Sequence, residues 1–411
     1  MHPSQLSISE FTYELPDERI ARNPLPERDA SKLLLYRNGK IEEDIYRNLA
    51  DYLPEKSLLV FNQTKVIHAR LMFQKPTGGR IEVFCLEPDS RYADVQTAML
   101  QKGGVYWRCM VGGAAKWKEG QQLSLVHDLG HFEMAASICS KEQGYFVLHL
   151  TWAGDVSFAE ALQVAGSVPL PPYLDREATA EDEQRYQTIF AHEEGSVAAP
   201  TAALHFTPQL MGRIHRKGVN SGLVTLHVGA GTFKPVKAAT MQGHDMHAEW
   251  IEVTLGFLEE LLRHLTQKLP VVAVGTTSAR TLESLYWIGF QVLLNGALPT
   301  SEIAVPQWLP YEHTAKELPE NIIVLSALIG ILKSNGIHRL VGKTQIIVAP
   351  GYRFKIMDAL ITNFHQPQST LLLLVSALIG EDWRKVYQYA LTRDFRFLSY
   401  GDGCLLWPNH R

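Results

Sequence analysis

Apolar and polar positions change their spacing along this chain, and the changes mark its parts. Residues 58–61 (Leu-Leu-Val-Phe) are a continuous apolar run that breaks at residues 62–65 and resumes with Arg70, the pattern of a buried strand ending in a loop. From about 71 to 155 the period shortens. Gly-Gly-Arg-Ile-Glu-Val-Phe, Val-Tyr-Trp-Arg-Cys-Met-Val, Gln-Leu-Ser-Leu-Val and Tyr-Phe-Val-Leu-His-Leu read as short strands with glycine-bearing turns between them. Such spacing predicts a small all-β, barrel-like domain inserted in the chain at 71–155.

Beyond an extended Leu-Pro-Pro-Tyr stretch and a charged segment at 177–187 that starts helical, helix and strand patterns alternate. Thr207 caps a helix with Pro208 in its first turn, Leu210, Met211 and Ile214 on one face, and Gly218 at its end. A strand at 223–228, a helix at 257–268, a buried strand at 270–274 and a helix opened by Gly275-Thr276-Thr277-Ser278 follow. This alternation predicts an α/β main domain with a largely parallel or mixed sheet, made from 1–70 and 156–411 and interrupted by the barrel. Residues 287 to about 343, with Pro-Gln-Trp-Leu-Pro-Tyr and a helix-like run at 322–332, read as a further insertion with packing elements of its own. The last section predicts a strand at 345–348, loops at 350–352 and 362–365, helices at about 369–379 and 382–393, and a terminal strand pair around 400–402.

Composition narrows the class. With 411 residues, 46% apolar and 20% charged, the chain is ordinary globular material, long enough for two domains. A net charge of −4 excludes a generic nucleic-acid coat and leaves room for a local basic contact. The N-terminus lacks a signal-peptide pattern, and the longest apolar run, 371–379, is too short to span a bilayer, so a cytoplasmic protein without membrane contact is expected. Cys85, Cys109, Cys139 and Cys404 form no Cys-x-x-Cys pair and read as buried free thiols.

Candidate chemistry centres on 198–233, where a helix-strand unit carries polar groups at both of its loops: Ala-Pro-Thr-Ala-Ala-Leu-His-Phe-Thr, then Thr-Leu-His-Val-Gly-Ala-Gly-Thr-Phe. The second loop lacks the third glycine of a dinucleotide fingerprint, and reads either as a close approach to a ligand or simply as a tight turn. Val-Gly-Thr-Thr-Ser-Ala-Arg feeds a buried strand into a helix whose first turn offers free N–H groups, hydroxyls and Arg280. That suits a phosphate or carboxylate, although helix capping explains part of it. His244-Asp-Met-His247-Ala-Glu249 lacks the partners of a zinc motif and suits general acid–base use better than metal. A lone buried histidine is often structural, and this caution covers His205, His227 and His365. In the polar stretch at 11–36, Arg22, Arg28, Asp29, Ser31 and Lys32 either grip an anion, pair among themselves or form a solvated loop.

Taken together, these segments resemble the S-adenosylmethionine:tRNA ribosyltransferase-isomerase family of queuosine biosynthesis. The matching pieces are Leu-Pro-Asp-Glu-Arg-Ile-Ala with Arg28-Asp29-Ala-Ser31-Lys-Leu-Leu, Val-Phe-Asn62-Gln-Thr64-Lys65, Thr77-Gly78-Gly79-Arg80-Ile-Glu82-Val, and Ala-Ala-Pro-Thr201-Ala-Ala-Leu-His205-Phe206. They continue with Leu-His227-Val-Gly-Ala-Gly231-Thr232-Phe-Lys-Pro-Val, His244-Asp-Met-His247-Ala-Glu249, Val-Gly-Thr276-Thr277-Ser-Ala-Arg280-Thr-Leu-Glu283, Pro-Gly351-Tyr352, Thr-Asn363-Phe-His365 and Tyr400-Gly401-Asp402. They stand in family order over nearly the whole chain. Gln63, His68, Ala203, Gln366 and Gly403 depart from the family's Asp, Pro, Gly, Leu and Ala.

The resemblance implies transfer and isomerisation of the ribosyl part of S-adenosylmethionine, a co-substrate, onto 7-aminomethyl-7-deazaguanine at the wobble position of tRNA. Epoxyqueuosine-tRNA forms; adenine and methionine leave. A base takes a proton next to the sulfonium, adenine is protonated as it leaves, and the acceptor amine attacks in its neutral form. In that frame His205, His227, His247 and Glu249 transfer protons without a metal, and Thr276, Thr277, Ser278 and Arg280 hold an anionic group. Phe206, Phe233 and Tyr352 stack on a base or face the sulfonium. Asp402 or Glu82 reads the donor edge of the deazaguanine, and Arg70, Lys75 and Arg80 contact tRNA. Asn62, Thr64, Gly79, Thr201, Gly231, Thr232, Asn363 and His365 complete the substrate-binding set of a monomeric enzyme. A metal-dependent hydrolase and a non-catalytic tRNA-binding protein are the alternatives.

Overall fold

The apolar run at 58–61 becomes the centre of a ten-stranded mixed sheet. In the computed structural model, which describes residues 2–75, 77–118, 120–127, 132–229, 236, 238–299, 302–314 and 316–408, strand Leu58–Asn62 lies between Asn220–Leu226 and Val271–Val274, parallel to both. Ala359–Asn363 continues the parallel set beside Val271–Val274. Antiparallel pairing begins outside this centre, at Glu249–Thr254 and Arg339–Thr344 on one side and at Gly403–Leu406 on the other. Parallel strands need both faces covered, and here alternate residues divide between two cores. Leu58 and Val60 face the helices Leu255–Thr266, Thr276–Asn295 and Asn321–Ser334, whereas Leu59 and Phe61 face Pro208–Arg216.

The alternating segment folds separately around its own core. Strands Arg70–Gln74, Arg80–Pro88, Gly104–Gly112, Phe146–Trp152, Phe132–Lys141 and Leu123–His127 pair antiparallel in that spatial order. Gln74 opposite Ser124 closes them into a barrel. Trp107, buried with Phe73, Val83 and Leu150, fills the interior from the inward-facing positions. The fold class is therefore an α/β domain with a mixed sheet plus an all-β barrel.

Four local expectations need correction. Residues 287–343 do not pack on their own: the Thr276–Asn295 helix runs through residue 287, and the Asn321–Ser334 helix shares the main core. Arg339–Thr344 lies in the main sheet. A Cβ on Gly289 would stand 2.7 Å from Val324 Cγ1, so the two helices meet backbone to side chain. The apolar runs looked self-contained because their partner faces are remote in sequence. The strand expected at 345–348 ends at Thr344, and the strand pair at 400–402 is one strand, Gly403–Leu406, inserted between Lys32–Arg37 and Ala359–Asn363. Cys85, Cys109 and Cys404 are buried, but Cys139 is exposed on a barrel strand.

Several residues expected at a site have their partners within this core. The fully buried Glu283 accepts from Tyr352 Oη at 2.7 Å and from the Lys355, Ile356 and Met357 N–H groups at 2.7, 3.0 and 3.1 Å. Burial pushes its carboxyl up, and these donors oppose the shift. Trp287 Nε1 donates to the same Tyr352 oxygen at 3.1 Å, so Tyr352 is fixed inside rather than presented to a ligand. Phe206 packs edge-on against Phe61 at 4.9 Å, and His205 stacks on Tyr46 at 4.1 Å. Asp402 accepts from the Lys32 and Arg396 N–H groups at 3.0 and 2.8 Å and pairs with the Arg396 guanidinium at 3.1 Å, which occupies both of its oxygens. Asn62 closes the strand ends: Oδ1 accepts from the Thr64 and Leu226 N–H groups at 3.1 Å, and Nδ2 donates to the Leu226 carbonyl at 2.9 Å.

Glu283→Ala would remove the acceptor shared by Tyr352 Oη and the Lys355 and Ile356 N–H groups. We expect a loss of about 3–5 kcal/mol, read as a lower unfolding midpoint; an unchanged midpoint would refute the anchoring role. A pH effect follows from the buried histidines. Burial lowers both His205 and His365 to about 3 from an ordinary 6.5. Between those values the unfolded chain binds protons that the folded chain does not. The stabilisation is thus full above about 6.5 and is lost progressively as pH falls toward 3. The unfolding midpoint should drop as pH is lowered from 7 to 5, and less steeply in His205→Gln; parallel slopes would exclude His205 as a cause.

Candidate active site at the ends of the central strands

The site lies beyond the C-terminal ends of the parallel strands, where chain reversals leave a crevice. Val271–Val274 runs into Gly275, whose φ of +89° and ψ of 153° lie in a region that side-chain-bearing residues avoid. This turn lets the helix begin at once with Thr276. No side chain caps the Thr276–Asn295 helix, so its first N–H groups and the positive end of its dipole are available to a ligand.

Two neighbouring cavities flank this first turn. The larger, about 410 Å³, has one wall from the segment His244, Asp245, Met246 and His247, a second from Ile346, Ile347 and Val348, and Glu249, Thr276, Thr277 and Arg280 at its base. The smaller, about 100 Å³, is lined by Thr201, Asn363, His365 and Ser399 together with Tyr173 and Tyr186. Both touch Thr276, Thr277, Gln366 and Ser369, so they meet at the helix start.

The electrostatics are set by which buried groups already have partners. Arg280 Nη1 forms a short ion pair with Glu249 Oε2, and Nε donates to the Ile346 carbonyl at 3.3 Å. Glu249 Oε1 accepts from the Gly229 N–H at 3.2 Å. Arg280 Nη2, Thr277 Oγ1 and Asn363 Oδ1 are buried without a hydrogen-bond partner. Asn363 cannot turn to relieve this, because Nδ2 donates to the Leu398 carbonyl at 3.0 Å. Unpaired buried polar groups on a cavity wall are costly unless a ligand satisfies them. Arg280 and the helix start suit an anionic oxygen; Asn363 suits an N–H donor. His247 stands exposed on the wall of the larger cavity. Half-buried His244 is held below the ordinary histidine range, first by burial and then by neighbouring His247. His365 Nε2 lies 3.0 Å from Thr362 Oγ1.

The fold thus brings His247, Glu249, Thr276, Thr277 and Arg280 to one cavity and Thr201, Asn363 and His365 to the other. Other expected residues line neither. His205 sits behind Asn363, with Nε2 3.3 Å from its Nδ2. His227 is buried where its strand ends, Nδ1 at 3.0 Å from Thr64 Oγ1 and Nε2 at 3.8 Å from Glu252 Oε1. Ser278 is buried within the helix. Arg70 and Glu82 pair with each other at 2.5 Å on the barrel; Gly79 and Arg80 are exposed there, and Lys75 donates to the Lys116 carbonyl. Gly231, Thr232 and Phe233 lie outside the described residues. Sequence reasoning missed the apolar wall at 346–348, Asp245, Gln366 and Ser369. Ser369 carried a signal, since it caps the Thr370–Ile379 helix by accepting from the Leu372 N–H at 3.3 Å.

Among the described residues, no group of three or more His, Cys, Asp or Glu side chains could hold a metal, and no helix is long and apolar enough to cross a membrane.

Comparison with known proteins supplies the family. The sequence profile of the queuosine biosynthesis protein family matches residues 8–406. A Magnetococcus marinus protein named S-adenosylmethionine:tRNA ribosyltransferase-isomerase is 36% identical over 402 residues, which span 98% of this chain and 94% of the relative. A Thermotoga petrophila protein of the same name is 38% identical over 404 residues, spanning 98% of this chain and all (100%) of the relative. A solved structure of the S-adenosylmethionine tRNA ribosyltransferase from Thermotoga maritima is 29% identical, covers 97% of this chain and 99% of that one, and has a TM-score of 0.46. With matches of this identity along its whole length, the chain belongs to the queuosine biosynthesis family of S-adenosylmethionine:tRNA ribosyltransferase-isomerases.

Proposed function

We propose that this protein transfers and isomerises the ribosyl part of S-adenosylmethionine onto 7-aminomethyl-7-deazaguanine at the tRNA wobble position, giving epoxyqueuosine-tRNA, adenine and methionine. The observation that carries the reading is the convergence of Arg280 Nη2, Thr277 Oγ1 and the uncapped helix start on one crevice, with Asn363 Oδ1 beside them. These groups ask for a ligand that offers an anionic oxygen and an N–H donor. S-adenosylmethionine has the carboxylate, and a deazaguanine splayed from the anticodon has the N–H edge.

The larger cavity is the donor site, with the methionine carboxylate at Arg280 and the helix start, and the sugar and adenine against the apolar wall. The smaller one receives the edge of the acceptor base. His247, exposed on the donor wall, exchanges protons with the reacting groups; His244, kept more neutral by burial, is suited to accept one. Glu249 is a positioning carboxylate, since it holds Arg280 and the Gly229 peptide. His205, neutral and buried, supports Asn363, while the basic residues of the barrel remain the candidates for contact with the tRNA body. Each cavity is lined by residues of one chain, which supports the reading of a monomer.

The deciding assay incubates the protein with S-adenosylmethionine and tRNA bearing the aminomethyl-deazaguanine, with and without chelator. Adenine release should accompany the matching mass gain on the tRNA; no adenine under either condition would sink the reading. Arg280→Lys keeps the charge but loses the second guanidinium nitrogen, and should raise KM for S-adenosylmethionine about tenfold or more. By contrast, His247→Ala should lower kcat about 10²–10⁴-fold with little change in donor binding. A His247→Ala enzyme with normal kcat would remove that residue from proton transfer.

A further inference from the structure

The donor-cavity wall made by His244, Asp245, Met246 and His247 belongs to no helix or strand. Without a helix or strand ladder, three of its peptide groups take partners from remote residues. One side chain supplies two. Gln307, only 8% exposed, accepts from the Met246 N–H through Oε1 at 2.8 Å and donates from Nε2 to the His244 carbonyl at 2.8 Å. Its amide does the work of a neighbouring strand, matching one donor and one acceptor to the segment. Gln345 Nε2 adds a third tie, to the Met246 carbonyl at 2.9 Å.

The apolar wall at 346–348 is held by the same stretch of chain. Tyr311 Oη donates to the Ile347 carbonyl at 3.0 Å and accepts from the Ala349 N–H at 3.0 Å, which fixes the backbone on both sides of Val348. The stretch is itself anchored, since Ala304–Val305 pairs with Arg339–Thr344 in the main sheet and the Gln345 N–H donates to the Val305 carbonyl at 2.9 Å.

We propose that residues 305–311 form a bracket that sets the separation of the two donor-cavity walls, with Gln307 and Tyr311 as positioning residues for S-adenosylmethionine. The inference rests on the reading of the larger cavity as the donor site. Neither side chain lines that cavity, so both act through the walls they hold: His247 and Asp245 on one side, Ile347 and Val348 on the other. Part of the segment 287–343 thereby gains a role in substrate binding as well as in packing.

Donor binding to the full-length protein, measured by titration calorimetry, tests the bracket. Gln307→Ala should raise the Kd for S-adenosylmethionine about tenfold, and Tyr311→Phe about threefold, while affinity for tRNA stays within about twofold of wild type. Gln307→Glu keeps the acceptor for Met246 but can donate to the His244 carbonyl only when protonated. Its Kd relative to wild type at the same pH should therefore improve as pH falls from 7 to 5. Folded Gln307→Ala and Tyr311→Phe proteins that bind the donor normally overturn the bracket. A weakening that merely tracks a lower unfolding midpoint, with no recovery of Gln307→Glu at low pH, overturns it as well. Adenine release by the wild type separates this failure from that of the functional reading: if the wild type releases none, the donor-site assignment falls first.

Discussion

The buried ion pair between Arg280 and Glu249 ties the two halves of the sheet together at the site. Arg280 is carried by the helix that follows the parallel strands, and Glu249 opens the first antiparallel strand beyond them. Both charges give up water to meet, so the pair contributes little net stability, but removal of either partner would strand the other. What the pair supplies is position. It orients the guanidinium so that one nitrogen remains for a ligand, and through Glu249 it holds the Gly229 peptide at the start of the next loop.

Burial sorts the histidines into distinct tasks. His205 and His365 are packed where a charge could not be solvated, so they stay neutral through the physiological range and act as hydrogen-bonding spacers around Asn363 and Thr362. His227 is buried between Thr64 and Glu252. Among the described residues, the 244–247 segment presents two imidazoles to the larger cavity, on an irregular piece of backbone, and His365 lines the smaller one. Irregular backbone can aim several consecutive side chains at one space, which a strand cannot, but its peptides must then be satisfied from outside. Gln307 and Gln345 meet that need.

Much of the fold was legible because it follows from periodicity. The apolar run at 58–61, the alternation in the barrel strands and the capped start of the Pro208–Arg216 helix each encode a local geometry, and each appears where expected. The Gly275–Arg280 turn was legible for a different reason: a glycine between a buried strand and a run of hydroxyls has few other uses. Residues 287–343 were misread because apolar runs announce burial without naming the surface that buries them. The core contacts of Phe206, Tyr352 and Asp402 were not legible, because an aromatic or acidic residue inside a family motif looks the same whether it serves a ligand or the core.

By itself, the sequence determined the α/β architecture, the barrel between its parts and the family, since all of these rest on local patterns and motif order. Only the tertiary structure decided which motif residues share a cavity. That choice depends on hydrogen bonds between segments far apart in the chain, such as Gln307 with His244 or Arg280 with Glu249, and on which buried groups are left without a partner. Neither quantity is carried by any short stretch of residues, because each is a property of the packed whole.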